Sequence, residues 1–394
     1  MGDARVKRIV CCLDGTWNNR GDEAPATNVA KLAPLLLSHD AWGRTQVAGY
    51  IPGIASGRTE TARFFKGAIG YGLEDQIAAA HAWLVDTYQP GDEIHLVGFS
   101  RGAYAARSLA SFLTHFGLGK PDSETWFAQA WAEYRVPEEK RAPRVVERLR
   151  ANAHPTPPIA SLAVWDTVGN LANPFISGGP LSRLLAFHDM RLHENIAIAL
   201  HALALDEVRG PFRPTLISLP ADKRLAAHQH VEQVWFAGSH ADVGGGYSET
   251  ALSDITLAWM IERLSNLAGL SFDLNGLRAL TAPDPLGPQH AGTDGAIFGW
   301  SAWLPYVRLV RQNPDAVSPT RRLMFGALRS SRLPSGEMSI NERVHESAIA
   351  RFGAEVEIHA GGQARRTIYA PRNLAVALAA DGGAAGVDND IVPP

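Results

Sequence analysis

The sequence predicts an α/β protein built on a mostly parallel sheet with helices on both faces. Two observations carry that expectation. Short apolar runs rich in β-branched residues alternate along the chain with longer stretches of helical periodicity, a pattern that favours crossover-connected strands over a sandwich or a bundle. Hydrophobic residues make up 46% of the 394 and charged residues 20%, which is enough apolar surface for a large core and too much for a disordered chain.

Each element can be justified in turn. Residues 8–13 (RIVCCL) read as a buried strand that runs into the turn Asp14-Gly15-Thr16. A helix is expected from about Asn28, whose side chain can cap it, through Val29, Leu32, Leu35 and Leu36. Residues 45–51 form a second strand, closed by Pro52-Gly53. Residues 72–88 place Leu73, Ile77, Ala80, Leu84 and Val85 at near-helical spacing, and Pro90-Gly91-Asp92 stops that helix. Residues 93–99 (EIHLVGF) are the next buried strand, and 101–116 a helix with an Ala and Leu face.

The alternation then breaks over 119–158. Aromatic residues (Trp126, Phe127, Trp131, Tyr134) precede a charged amphipathic stretch, EEKRAPRVVERLR. We expect an inserted helical segment here, lying over one end of the sheet or standing in solvent without a role in the site. The pattern resumes with a strand at 159–165, a helix at 195–205, a strand at 231–237 and a helix at 253–267 capped by Ser253. The Gly, Ala and Asp content after Leu374 is that of a frayed terminus. The expected organisation is one catalytic domain over 1–370 with the insertion at about 119–158, followed by a flexible tail over 371–394.

Charge and cysteine usage exclude some classes. Lys plus Arg total 37 against 40 for Asp plus Glu, a formal charge of -3 with no long basic run. Nothing here offers the phosphate-neutralising patch that nucleic acid needs. The two cysteines, Cys11 and Cys12, are neighbours in a strand whose side chains alternate between faces, a poor disulfide pair that suits a reducing compartment. The apolar stretch from Ile9 to Leu13 is too short for a secretory signal, and no run of about 18 apolar residues predicts a membrane helix. A cytoplasmic location, or export without a signal peptide, is the expectation.

The most informative pentapeptide is Gly98-Phe99-Ser100-Arg101-Gly102, set between a buried strand and an Ala-rich helix. In such a strand-to-helix elbow the serine is held clear of the sheet and the glycines permit close packing. The backbone N–H of Arg101 then sits at a helix N-terminus, where it can meet an oxyanion. The alternative is an ordinary βα turn. A serine nucleophile requires a base and a carboxylate, in the chain order Ser, Asp or Glu, His. Asp166 follows the apolar run of LAVWDTVG, and His240 follows that of VWFAGSHADVGGGY; both fall at the carboxyl end of a strand, where α/β sheets place their ligands.

His345 is the main rival base, and Asp206 and Asp242 are the rival carboxylates. A metal site built on His240 and Asp242 lacks a third ligand at suitable spacing, so no metal or cofactor is expected. Asp14-Gly15-Thr16 suggests an aspartyl-phosphate phosphatase, but Cys12 stands where that nucleophile belongs. The turn instead offers Thr16 as a second backbone donor to the oxyanion. Residues 175–187 and 297–309 are apolar stretches that could meet an acyl chain or simply pack in the core.

Together LDGTWN from Leu13, GFSRGAY from Gly98, WDTVG from Trp165, ALALDE from Ala202 and GSHADVGGGY from Gly238 resemble an α/β-hydrolase domain family. That family includes the phospholipase effectors of bacterial type VI secretion, and the resemblance spans about residues 5–350. It implies an α/β-hydrolase-like fold and a serine hydrolase whose Ser, Asp and His fall on Ser100, Asp166 and His240. It also implies an ester or lipid substrate, transient contact with a membrane surface, and a delivery or immunity protein as partner. A non-catalytic α/β scaffold and a metal-dependent hydrolase are the alternatives from other classes.

Overall fold

The computed structural model describes residues 6–15, 25–53, 72–121, 125–169, 190–292, 307–313, 333 and 336–380. In chain order the elements begin with β1 (Arg8–Leu13), α1 (Asn28–Leu35), β2 (Gln46–Ile51), α2 (Leu73–Thr87), β3 (Glu93–Phe99) and α3 (Arg101–Phe116). Next come β4 (Leu118–Gly119), α4 (Trp126–Tyr134), α5 (Pro143–Ala151), β5 (Ala153–His154), β6 (Ile159–Trp165), β7 (Ile196–Ala204) and β8 (Ser218–Pro220). They continue with β9 (His230–Phe236), α6 (His240–Gly244), α7 (Ala251–Ala268), α8 (Leu274–Leu280) and β10 (Gln289–His290). The last are β11 (Glu337–Ser339), β12 (Glu342–Val344), α9 (Glu346–Arg351), β13 (Glu355–Ala360), β14 (Gln363–Ile368) and α10 (Arg372–Ala380).

Seven strands form one sheet in the order β12-β9-β7-β6-β3-β1-β2, and every neighbouring pair is parallel. The chain lays β2 on one side of β1 and β3 on the other, so the strand order reverses between β1 and β3. At such a switch point the crevice beyond the carboxyl ends is open to a ligand. Successive side chains feed two cores, as the period of a strand requires. Ile9, Cys11 and Leu13 pack with Leu84, Leu109 and Phe112 on one face, whereas Val10 and Cys12 pack with Leu32, Leu257 and Leu264 on the other. Both thiols are free, and burial pushes that of Cys12 up to about 12. A small sheet of β10, β13 and β14 stands apart from the main one.

The structure corrects the sequence reading in four places. Residues 195–205 form a strand, β7, and not a helix: the run IAIALHALA is enclosed between β6 and β9, and a parallel strand covered on both faces loses its alternation. Thr27, not Asn28, caps α1 by accepting from the Ala30 N–H. The Asn28 side chain instead donates to the Val243 and Ser253 carbonyls, joining α1 to α6 and α7. The helix expected from Ser253 starts at Ala251 after Thr250, and Ser253 is a buried residue of its first turn. The expected tail is ordered as α10 over its first part, with Leu374 and Ala377 buried against Trp235 and Tyr369; residues 381–394 lie outside the described residues.

The helices α4 and α5 pack on the far half of α3, where Phe112 meets Trp126, Phe127, Trp131 and Tyr134 in one aromatic cluster. The β4–β5 bridge closes this insertion beside the carboxyl end of α3. It therefore lies at the end of α3 away from Ser100. Among the described residues no helix is long and apolar enough to cross a membrane.

Candidate active site

Ser100 sits between β3 and α3 with φ 59° and ψ -121°, a conformation that costs a non-glycine residue strain. Its backbone is pinned: the N–H donates to the Trp165 carbonyl at 3.1 Å, and its carbonyl accepts from the Tyr104 N–H at 3.2 Å. The flanking glycines are required by sterics. A Cβ on Gly98 would lie 2.6 Å from the Gly102 carbonyl oxygen, and one on Gly102 would run into the backbone of Leu13 and Asp14. Gly15 lies on the other side of the crevice, where a Cβ would stand 3.3 Å from that of Ser100.

The His240 imidazole bridges to the serine. Its Nε2 lies 2.7 Å from Ser100 Oγ and its Nδ1 lies 2.6 Å from Asp166 Oδ2. His240 opens α6, whose N-terminus is fixed by a capping box between Ser239 and Asp242. The Glu207 carboxylate accepts from the His240 backbone N–H at 3.3 Å, and the rings of Phe99 and Phe212 flank the imidazole at 4.7 and 4.9 Å. Burial lowers the His240 pKa, and Asp166 only partly offsets that, so the ring is neutral and one nitrogen is free to accept a proton. Glu207 is in turn paired with Arg209 at 2.6 Å, and Arg209 stacks on Phe212.

Asp166 directly follows β6 with φ 37° and is fully buried. Burial works to raise its pKa, but the charge of Arg308 and the contact with His240 outweigh it and hold the carboxyl well below the usual range. Arg308 engages both Asp166 oxygens, with Nη2 2.9 Å from Oδ2, and also donates to the Ala204 and Phe212 carbonyls at 2.8 and 2.6 Å. The sequence reading missed this residue. It assigned 297–309 to an acyl chain or the core; of that stretch 297–306 lie outside the described residues, and Arg308 and Leu309 are buried. A lone arginine in an apolar stretch was the available signal, because a buried guanidinium demands a carboxylate.

The structure thus brings Ser100, His240 and Asp166 into one hydrogen-bonded chain at the carboxyl edge of the sheet. Arg101 opens α3, so its backbone N–H belongs to the first turn beside Ser100. Thr16 and the stretch 175–187 lie outside the described residues. The rivals serve elsewhere. His345 caps α9, with Nδ1 2.8 Å from Ser347 Oγ and its ring stacked on Phe236. Asp206 accepts from the Gly238 N–H and the Tyr369 hydroxyl, and Asp242 from Ser239 and His290. His240 and Asp242 therefore serve different partners.

The chain is similar to several known proteins. An uncharacterized protein of Saccharomyces cerevisiae, YEL023C, is 33% identical over 141 residues, which cover 32% of this chain and 20% of that protein. The structure of the Tle1 effector bound to the VgrG spike of the type 6 secretion system aligns over 62% of this chain and 51% of its own, at 17% identity and TM-score 0.34. An uncharacterized protein from Pseudomonas aeruginosa aligns over 76% and 50%, at 16% identity and TM-score 0.42. The chain thus spans one fifth of the yeast relative and about half of these two structures. Residues 7–263 match the description "T6SS, Phospholipase effector Tle1-like, catalytic domain", so the chain belongs to that family, whose chemistry is ester hydrolysis.

Proposed function

We propose that the protein is a serine hydrolase of carboxylic esters, acting on lipid or phospholipid acyl groups through Ser100, His240 and Asp166. The observation that carries the proposal is the unbroken contact from Ser100 Oγ through the imidazole to the buried carboxylate, 2.7 and 2.6 Å long. Ser100 Oγ attacks the acyl carbonyl as its proton passes to His240 Nε2, and Asp166 stabilises the imidazolium that forms. The tetrahedral oxyanion receives the backbone N–H groups of Arg101 and Thr16. Collapse breaks the ester C–O bond; the leaving alkoxide takes the proton from His240, and the acyl group stays on Ser100. Water then gives a proton to His240 and its oxygen to the acyl carbon, and the free acid leaves as Ser100 recovers its hydrogen.

The lipid substrate and a secretion-machinery partner follow from the family's description and belong to the same proposal. A fluorophosphonate should label the wild type at Ser100, located by peptide mapping, and should not label Ser100→Ala. That variant should lose turnover of short-chain ester dyes by about 10³-fold or more while its melting temperature hardly moves. Retained turnover would reject the nucleophile. A phospholipid panel with positional product analysis then tests the substrate class.

A further inference from the structure

Away from Ser100, three chain segments bring a second group of donor side chains together. Glu249 lies just ahead of α7, His290 ends β10, and His359 lies in β13 as the register partner of His290. One donor atom of each lies within 4.8 Å of the other two. Each imidazole also contacts a further carboxylate. His290 Nδ1 is 2.7 Å from Asp242 Oδ1, and the same residue's backbone N–H donates to Asp242 Oδ2 at 3.0 Å. A ring nitrogen of His359, Nε2, is 2.7 Å from Glu357 Oε1. Tyr247 stacks on the His290 ring at 3.7 Å, and His290 Nε2 faces Glu249 Oε2 at 3.3 Å.

We propose that Glu249, His290 and His359 bind one divalent transition-metal ion, of which Zn²⁺ suits the donors best. Two imidazoles and a carboxylate form a common three-ligand zinc set that leaves a fourth position to water. A carboxylate behind a ligating imidazole fixes its tautomer and raises its basicity, and Asp242 stands in that place behind His290. Tetrahedral ligands about 2.1 Å from zinc stand about 3.4 Å apart, so donors within 4.8 Å of one another have to close by about 1.4 Å at most. Glu249, 38% exposed at its side chain and one turn beyond Gly245 and Gly246, has room to supply that movement. The occupied site would tie β10 and β13 to α6 through Asp242, two residues after His240 in the same short helix.

The competing description is a metal-free ion pair in which His290 bridges Asp242 and Glu249. Untagged full-length protein, stripped with a chelator and titrated with Zn²⁺ by calorimetry, separates the two. We expect one ion per chain, tetrahedral visible bands when Co²⁺ replaces zinc, and a higher melting temperature in the loaded protein. His359→Ala and Glu249→Gln should each weaken uptake by about tenfold or more while retaining the wild-type circular dichroism. No stoichiometric uptake by the wild type, or undiminished uptake by both variants, overturns the proposal. Uptake is read without any ester substrate, so the proposal fails or stands apart from the hydrolase reading.

Discussion

Arg308 shows how one side chain can set the working range of a site it does not enter. It contacts both oxygens of Asp166, while burial is the dominant influence on His240. Because that influence lowers the histidine's pKa, the base is neutral at pH 7, and hydrolysis should decline only as the pH falls below about 6.5. Replacing Arg308 with Met leaves the buried carboxylate without its cation. We expect a stability loss of about 3–5 kcal/mol and an acid limb of kcat/KM displaced to higher pH, because an unshared Asp166 charge favours the imidazolium. Arg308→Lys should restore the charge but not the fork geometry, and so recover only part of the profile. Denaturant titration and a pH–rate series check both effects; an unmoved limb would deny Arg308 any positioning role.

At the scale of elements, close backbone approach between β1 and α3 sets the crevice. Gly102→Ala would press a methyl group on the carbonyl oxygens of Leu13 and Asp14, atoms that cannot move without shifting β1. A loss of about 1–3 kcal/mol is expected, together with a larger loss of turnover than of stability, since the shift displaces Ser100; thermal melts and dye assays on the same variant test it. The elements on either side of this contact were legible in the sequence. RIVCCL and EIHLVGF are short, β-branched and bounded by turn residues, and both strands lie where the pattern put them. β7 was illegible for the opposite reason: its alanines favour a helix intrinsically, and only enclosure between β6 and β9 makes it a strand. The convergence of Ser100, Asp166 and His240 was readable because each falls at or just past the carboxyl end of an apolar run. Arg308 was not, because its meaning depends on a carboxylate 142 positions away.

Across the whole molecule, buried imidazoles make the fold acid-sensitive. Burial lowers the pKa of His81 to about 4 and that of His201 to about 3, and His95 and His240 move the same way. The unfolded chain binds protons on these groups below pH 6.5 when the folded chain does not, so stability falls as the pH drops through that window. At pH 5 the cost is about 2 kcal/mol each for His81 and His201. His290 and Asp206 oppose it, since both have raised pKa values and gain protons in the folded state. Scanning calorimetry between pH 7 and 5 should record a falling melting temperature, and a rising one would contradict the balance.

The sixteen residues of α3 carry a further consequence. At 1.5 Å per residue the helix spans about 24 Å, and that length separates the insertion from Ser100. The exposed turn around Lys140 is therefore a natural place to attach a fluorophore, an affinity handle or a surface tether: a reporter fixed there rides on the fold and leaves the crevice beside Ser100 at the other end untouched.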